Sequence, residues 1–244
     1  MNLNKTASLL LSEDTREILR DQFYLRLPRN NYIFRLISTL MPTFHPITGY
    51  LKKYTPKNAE IVIDAGAYPG NFTIILSRLV GKNGRVIAIE PDKKFFAYLN
   101  SRFNRLGLKN IILLNFALWN SDGERNFLNR GNEGSSLFAQ NSSNHRYTTT
   151  IPTRRLDTIV GALKIPRVDY LKMDIEGAEI EALEGATEVL KKYSPHLAIA
   201  CYHMRNGKPT FFTLRERLKK LDYQVIIDFP KHLTLYGKKI RNTG

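Results

Sequence analysis

Three acids, Asp174, Glu176 and Glu179, follow directly on the strand-like run Val168-Asp-Tyr-Leu-Lys-Met173. Gly177 sits among them, and the helix-like pattern Ala178–Tyr193 comes next. A buried parallel strand that delivers a carboxylate to the rim of an α/β sheet has this form. Ligands of open α/β sheets bind at those strand ends. Asp174 is therefore expected to face the chemistry, with Glu176 at the helix entrance. Glu179, in the first turn, also suits the positive end of the helix dipole. His203 follows the strand-like run Leu197–Cys201 and is expected on the same rim. A histidine there, at its ordinary pKa of ~6.5, can serve as a general base; the plainer reading is a surface-loop histidine.

A second chemical stretch is Ile61-Val-Ile-Asp64-Ala-Gly66-Ala-Tyr-Pro-Gly70-Asn-Phe-Thr73. Glycines let a backbone approach a ligand closely. Their G-x-x-x-G spacing is neither the dinucleotide G-x-G-x-x-G nor a P-loop, so the loop is not built to seat a pyrophosphate. A nicotinamide oxidoreductase is disfavoured on this ground. Glu90 ends the run Arg85–Glu90, 24 residues after Gly66. A carboxylate at that position can accept hydrogen bonds from both hydroxyls of an adenosine ribose. Asp92 is the expected N-cap of the helix that follows, which frees Glu90 for a ligand.

These residues need a sheet to carry them. From Ile61, strand-like and helix-like segments alternate: Ile61–Ala65, Phe72–Val80, Arg85–Glu90, Lys93–Leu106 and Asn110–Asn115. Such a βαβαβ series implies parallel strands with right-handed crossovers. After a polar interval at 119–155, read as a hairpin or loop insertion over the strand ends, the rhythm resumes. It continues with strand Val168–Met173, helix Ala178–Tyr193, strand His196–Cys201 and helix Phe211–Leu221. Strands Gln224–Asp228 and Leu233–Tyr236 are close enough in sequence to pair antiparallel. Residues 1–58 read as a helical N-terminal extension, with a helix start at Ser12–Glu17 and an apolar helix at Tyr32–Met41 that Pro42 ends. That helix is expected to cap the domain formed by 59–244 or to lie on a membrane surface.

Several of these segments together resemble the FkbM family of S-adenosylmethionine-dependent methyltransferases. They are Val62–Thr73, Asn115-Phe-Ala-Leu118, Gly134-Ser-Ser-Leu137, Leu156-Asp157 and Lys172-Met-Asp-Ile-Glu-Gly-Ala-Glu179. The resemblance spans residues 60–203, and its most specific part is Asp174–Glu179. It implies a Rossmann-like class I methyltransferase fold, with a mostly parallel seven-stranded sheet and helices on both faces. It also implies that Asp64, Gly66, Ala67, Tyr68, Gly70, Asn71, Phe72 and Thr73 hold S-adenosyl-L-methionine, together with Glu90, Pro91, Asn115 and Ala117. Asp174 would face the transferred methyl group, with Glu176 and His203 as its catalytic neighbours. The implied reaction is methylation of a hydroxyl on a sugar, glycolipid or other small metabolite. A neutral alcohol is a poor nucleophile until its proton leaves. His203 is the first choice for taking that proton, and a divalent ion held by Asp174 and its neighbours is the second. The resemblance brings no shared metal motif, so no metal ligand is assigned. Cys201-Tyr202-His203 departs from the family, whose members often carry an acid before the histidine.

The formal net charge is +15, and residues 205–244 hold ten Lys/Arg against three acids. Such charge suits an anionic partner (an anionic glycan, nucleic acid or a lipid surface) and equally a solvated basic surface with no dedicated partner. RNA methylation is the first rival reading, although no recognised RNA-binding module is present. A non-catalytic cofactor-binding or membrane-associated protein is the second. The single cysteine excludes an internal disulfide, and neither a signal peptide nor an apolar run of about 18 residues occurs. A cytoplasmic setting is expected.

Overall fold

The computed structural model describes residues 49–128, 148–205, 207–228 and 233–240. The expected helices at Ser12–Glu17 and Tyr32–Met41 and the Gly134–Leu137 motif lie outside them. Strands β1 (Ile61–Ala65), β2 (Arg85–Ile89) and β3 (Ile111–Leu114) alternate with helices α1 (Asn71–Val80) and α2 (Lys93–Arg105). A small three-stranded sheet follows, made of β4 (Ala117–Leu118), β5 (Gly123–Leu128) and β6 (Thr148–Arg154). In it β5 and β6 form the expected hairpin, and β4 runs parallel to β6. The main chain then continues through α3 (Leu156–Ala162), β7 (Tyr170–Met173), α4 (Glu179–Glu184), α5 (Thr187–Tyr193) and β8 (His196–Ala200). A short ladder, β9 (Met204–Arg205) with β10 (Lys208–Pro209), leads to α6 (Phe211–Lys219), β11 (Tyr223–Asp228) and β12 (Thr234–Lys239).

The large sheet has seven strands in the order β11-β12-β8-β7-β1-β2-β3. Strands β3, β2, β1, β7 and β8 are mutually parallel, whereas β12 runs antiparallel to both β8 and β11. The sheet is therefore mixed, and the expected antiparallel pairing of the last two strands is its cause. Connections leave β1 toward β2 on one side, and the chain returns to β7 on the other. The gap between β1 and β7 is thus the switch point at which such sheets bind ligands.

Side chains alternate along each strand, so the sheet has an apolar core on each face. Ile63, Ala65, Ile87, Leu171, Met173 and Ile199 pack against α3 to α6. Val62, Val86, Ala88, Tyr170 and Ala198 pack against α1, α2 and the segment Tyr50–Leu51. Asp64 and Lys172 lie on this second face, in register on adjacent strands β1 and β7. Two tyrosine hydroxyls dock the chain ahead of the sheet. Tyr170 Oη donates to Tyr50 O at 2.7 Å and Tyr236 Oη to Gly49 O at 2.5 Å.

One expectation needs correction. Helix Ala178–Tyr193 is two helices, broken at Gly185–Ala186. A Cβ on Gly185 would stand 2.0 Å from Trp119 O, so the small sheet is pressed against the break. Asp157 fixes the break: its N–H donates to Gly185 O, and its carboxylate accepts from the N–H groups of Glu188 and Val189 at the start of α5. This is N-capping supplied by another helix, α3, which the sequence pattern had not disclosed. Among the described residues no helix is long and apolar enough to cross a membrane.

Candidate active site

Asp64 ends up behind the glycine loop rather than on its surface. It is fully buried; Thr73 Oγ1 donates to Asp64 Oδ2 at 2.6 Å, and Lys172 Nζ lies 3.0 Å from Asp64 Oδ1. Lys172 Nζ also donates to the carbonyls of Ala65 and Gly66, at 3.1 and 2.7 Å. The expected direct ligand contact of Asp64 is thus replaced by a buried ion pair that shapes the loop from below. Thr73 is fully buried too, and Ala67 and Phe72 are core residues. Gly66, Tyr68, Pro69 and Asn71 are the residues of the loop that keep partial exposure.

The loop's backbone is held at every step. Gly66 and Ala67 N–H donate to Ile89 O, and Gly70 N–H donates to Ala67 O. Gly66 has φ +77° and Gly70 φ +95°, in the left-handed region that glycine enters without strain. Arg102, buried on α2, donates through Nη1 to Pro69 O and through Nη2 to Asn71 Oδ1 at 2.7 Å. The Tyr68 ring stacks on Phe95 with centroids 3.8 Å apart.

Glu90 lies one residue beyond β2, beside this loop. Its carboxylate accepts from Tyr68 N–H at 3.3 Å and from Asp92 N–H at 3.0 Å. Burial raises its pKa to about 7, against the lowering effect of those backbone donors. Asp92 caps α2 as expected, accepting from Lys94 and Phe95 N–H. Asn115 Nδ2 donates to the carbonyls of Glu90 and Pro91 at 2.9 and 3.0 Å. Asn115 thus ties the end of β3 to the end of β2. Ala117 is paired with Thr153 and packed among Trp119, Phe127, Ile151 and Ala178. Its side chain belongs to the small sheet's core.

Across the switch point stands Asp174, one residue beyond β7. Its N–H donates to Ala65 O, which fastens it to β1. Tyr50 Oη donates to Asp174 Oδ2 at 2.9 Å, and Tyr202 Oη donates to Oδ1 at 3.3 Å. Burial, then the Asp174 charge, pushes both phenols well above their ordinary pKa, so both stay protonated donors. Lys172, Arg102, Tyr50 and Tyr202 were not expected at the site. Only Lys172 left a usable trace: a cation at the same strand position as Asp64, in two strands otherwise apolar.

The loop Asp174–Ala178 is tight. Glu176 has φ +55°, unusual for a residue with a Cβ, and Gly177 φ +97°. Glu179 is fully buried, and its Oε1 accepts from the N–H groups of Ile175 and Gly177. Arg205 of β9, paired with Glu181, donates to Gly177 O at 3.0 Å. His203 is mostly buried, not a surface-loop residue. Its Nδ1 lies 3.1 Å from Glu179 Oε1 and its Nε2 3.5 Å from Glu176 Oε2. Burial lowers its pKa, but Glu176, Glu179 and Asp174 outweigh this and raise it to about 10. His203 is therefore an imidazolium at neutral pH, unlike the base of ordinary pKa that the sequence suggested. Thr210 N–H donates to His203 O, so the β9–β10 ladder fixes the histidine's place on the rim.

Comparison with known proteins identifies the family. The family model described as the Methyltransferase FkbM domain matches residues 64–225. The hexuronic acid methyltransferase AglP of Haloferax volcanii is 29% identical over 136 residues, covering 54% of this chain and 52% of that protein. A tRNA (cytosine(72)-C(5))-methyltransferase of Pyrococcus horikoshii is 34% identical over 59 residues, 24% of this chain and 15% of that protein. Among solved structures, the FkbM methyltransferase of Methylobacillus flagellatus KT superimposes with a TM-score of 0.60 at 21% identity. That superposition covers 91% of this chain and 59% of the other. The chain thus spans about half the length, or less, of the curated relatives it matches.

Proposed function

The chain belongs to the FkbM methyltransferase family, and from that premise we propose that it transfers the methyl group of S-adenosylmethionine to a hydroxyl of a sugar-type acceptor. One observation carries the reading. Glu90, Gly66 and Asp174 follow the ends of the adjacent strands β2, β1 and β7, so a cofactor lying along the loop from Glu90 would bring its methyl group toward that carboxylate. The backbone of Gly66–Gly70 would lie along the amino-acid portion of the cofactor. Glu90 would accept the two ribose hydroxyls.

Asp174 is oriented by two phenol donors and by its own N–H. A carboxylate so held can accept the proton of an acceptor hydroxyl as the bond to the methyl carbon forms. His203, as an imidazolium, orients Glu176 and Glu179 instead of taking the proton. Most of the acceleration would come from holding donor and acceptor in line and away from water. The basic surface and the likeness to a hexuronic acid methyltransferase favour an acceptor bearing an acidic sugar.

The test is isotope transfer from labelled S-adenosylmethionine to uronic-acid oligosaccharides, beside calorimetric titration with S-adenosylhomocysteine. The expected product is stable to mild base, as a methyl ether is, and Asp174→Asn loses turnover while keeping cofactor affinity. A base-labile product would move the acceptor atom to the sugar carboxylate. Folded protein that binds no S-adenosylhomocysteine would end the proposal.

A further inference from the structure

We propose that Asp174, Glu176 and His203 form a binding site for one divalent cation of the manganese or zinc kind. One carboxylate oxygen from each acid and one imidazole nitrogen lie within 4.8 Å of one another on the rim. His203 Nε2 and Glu176 Oε2, at 3.5 Å, are already near the separation of neighbouring ligands on one ion. Small side-chain rotations close the remainder to metal–ligand bonds of about 2.1 Å.

A second, independent feature is the brace behind the histidine. A metal-bound imidazole characteristically gives its other ring N–H to a carboxylate, which fixes the tautomer and the ring plane. Here Nδ1 lies 3.1 Å from Glu179 Oε1, near enough for a small turn of the ring to make that hydrogen bond. Glu179 is fully buried and pinned by two backbone N–H groups, and its Oε2 has no hydrogen-bond donor among the described residues. Three carboxylates around one imidazole make an anionic cluster in a partly buried place, which the imidazolium proton relieves in the metal-free protein and a bound cation would relieve in its stead, entering with release of that proton. A mixed oxygen and imidazole set suits manganese or zinc better than calcium or magnesium. Beside the proposed acceptor site, such an ion would lower the pKa of a bound hydroxyl. The cation site stands or falls independently of the methyl-transfer reading, because binding is measured without substrate.

The experiment strips the full chain with a chelator and titrates Mn²⁺ or Zn²⁺ by calorimetry, following Mn²⁺ by electron paramagnetic resonance as well. The expected result is one saturable site, weakened at least about tenfold in Glu176→Gln and in His203→Gln. Glu188→Gln, on the exposed face of α5, should bind as the wild type does. Glu176 is partly exposed, so its variant folds even if the histidine variant does not; unchanged circular dichroism and S-adenosylhomocysteine affinity verify this. No saturable binding by the folded wild type, or binding indifferent to Glu176→Gln, overturns the site and leaves His203 as the resident cation.

Discussion

Gly66 and Asp174 touch backbone to backbone: a Cβ on Gly66 would stand 1.9 Å from the carbonyl oxygen of Asp174. The loop on β1 and the acid after β7 are thereby one unit. Gly66 also has φ +77°, so Gly66→Ala meets both a clash and a strained backbone. The expected cost is about 2–4 kcal/mol of folding stability, with cofactor affinity lost in whatever remains folded. Urea denaturation beside calorimetry checks it; a variant as stable as the wild type would refute the close packing.

The buried pair of Asp64 and Lys172 predicts an asymmetry. Removing one partner strands a charge in the core, so Lys172→Met should cost about 3–5 kcal/mol. The double variant Asp64→Asn/Lys172→Met should recover part of that loss, because no unpaired charge remains. A double-mutant cycle by denaturant titration measures the coupling; strict additivity would count against a direct pair.

Glu90 links cofactor binding to pH. Its folded pKa is raised from 4.5 to about 7, so ionising it costs the folded state stability as pH rises through that window. An ionised Glu90 is the better acceptor for a ribose diol. Affinity for S-adenosylhomocysteine should therefore climb as pH passes about 7 and level off above it. In Glu90→Gln the profile should be flat and the affinity lower throughout. A wild-type affinity independent of pH would remove Glu90 from the ribose.

For His203 the stability effect runs with the proton it holds. Its folded pKa is about 10, above the ordinary value of ~6.5. Its contribution is therefore complete below about pH 6.5 and is lost as pH rises through about 10. In chelator-treated protein, His203→Gln should be clearly less stable than the wild type near neutrality, and the gap should close on the alkaline side. Thermal melts across that range provide the comparison; a gap that widens with pH would contradict a charged histidine.

Tyr50 and Tyr202 should differ in effect. The Tyr50 hydrogen bond to Asp174 is 2.9 Å and that of Tyr202 is 3.3 Å. Charge-assisted bonds at the shorter distance are the stronger. Tyr50→Phe should lower kcat about tenfold and Tyr202→Phe less, both with nearly unchanged cofactor affinity. The KM and kcat of each variant, with S-adenosylhomocysteine titration, separate positioning from binding.

Much of the fold was legible because burial writes itself into strands and glycines. Ile61–Ala65, Arg85–Glu90 and Val168–Met173 are apolar since both sheet faces are covered, and Gly66 and Gly70 mark positive φ. Asp92 was recognised as a cap from its place alone. What escaped were contacts made at long range. Arg102 reads as a solvated residue in a helix crowded with Lys, Arg and Asn, yet it is buried beneath the glycine loop. Asp157 caps a helix that begins thirty residues later, so no local spacing betrays it. His203 carried the right position but the wrong protonation, since Glu179 behind it looked like an ordinary first-turn acid.

Tyr50 lies 124 residues before the carboxylate it serves. It is held there by Tyr170 and Tyr236, two strands of the sheet acting on a stretch of chain outside it. A fragment trimmed to begin at Ile61, where the alternation starts, would keep every glycine and every acid by which the fold is recognised. It would also lose the nearer of the two hydroxyls that tell Asp174 which way to face, strip Tyr50 and Leu51 from one face of the core, and leave the Tyr170 and Tyr236 hydroxyls without their acceptors.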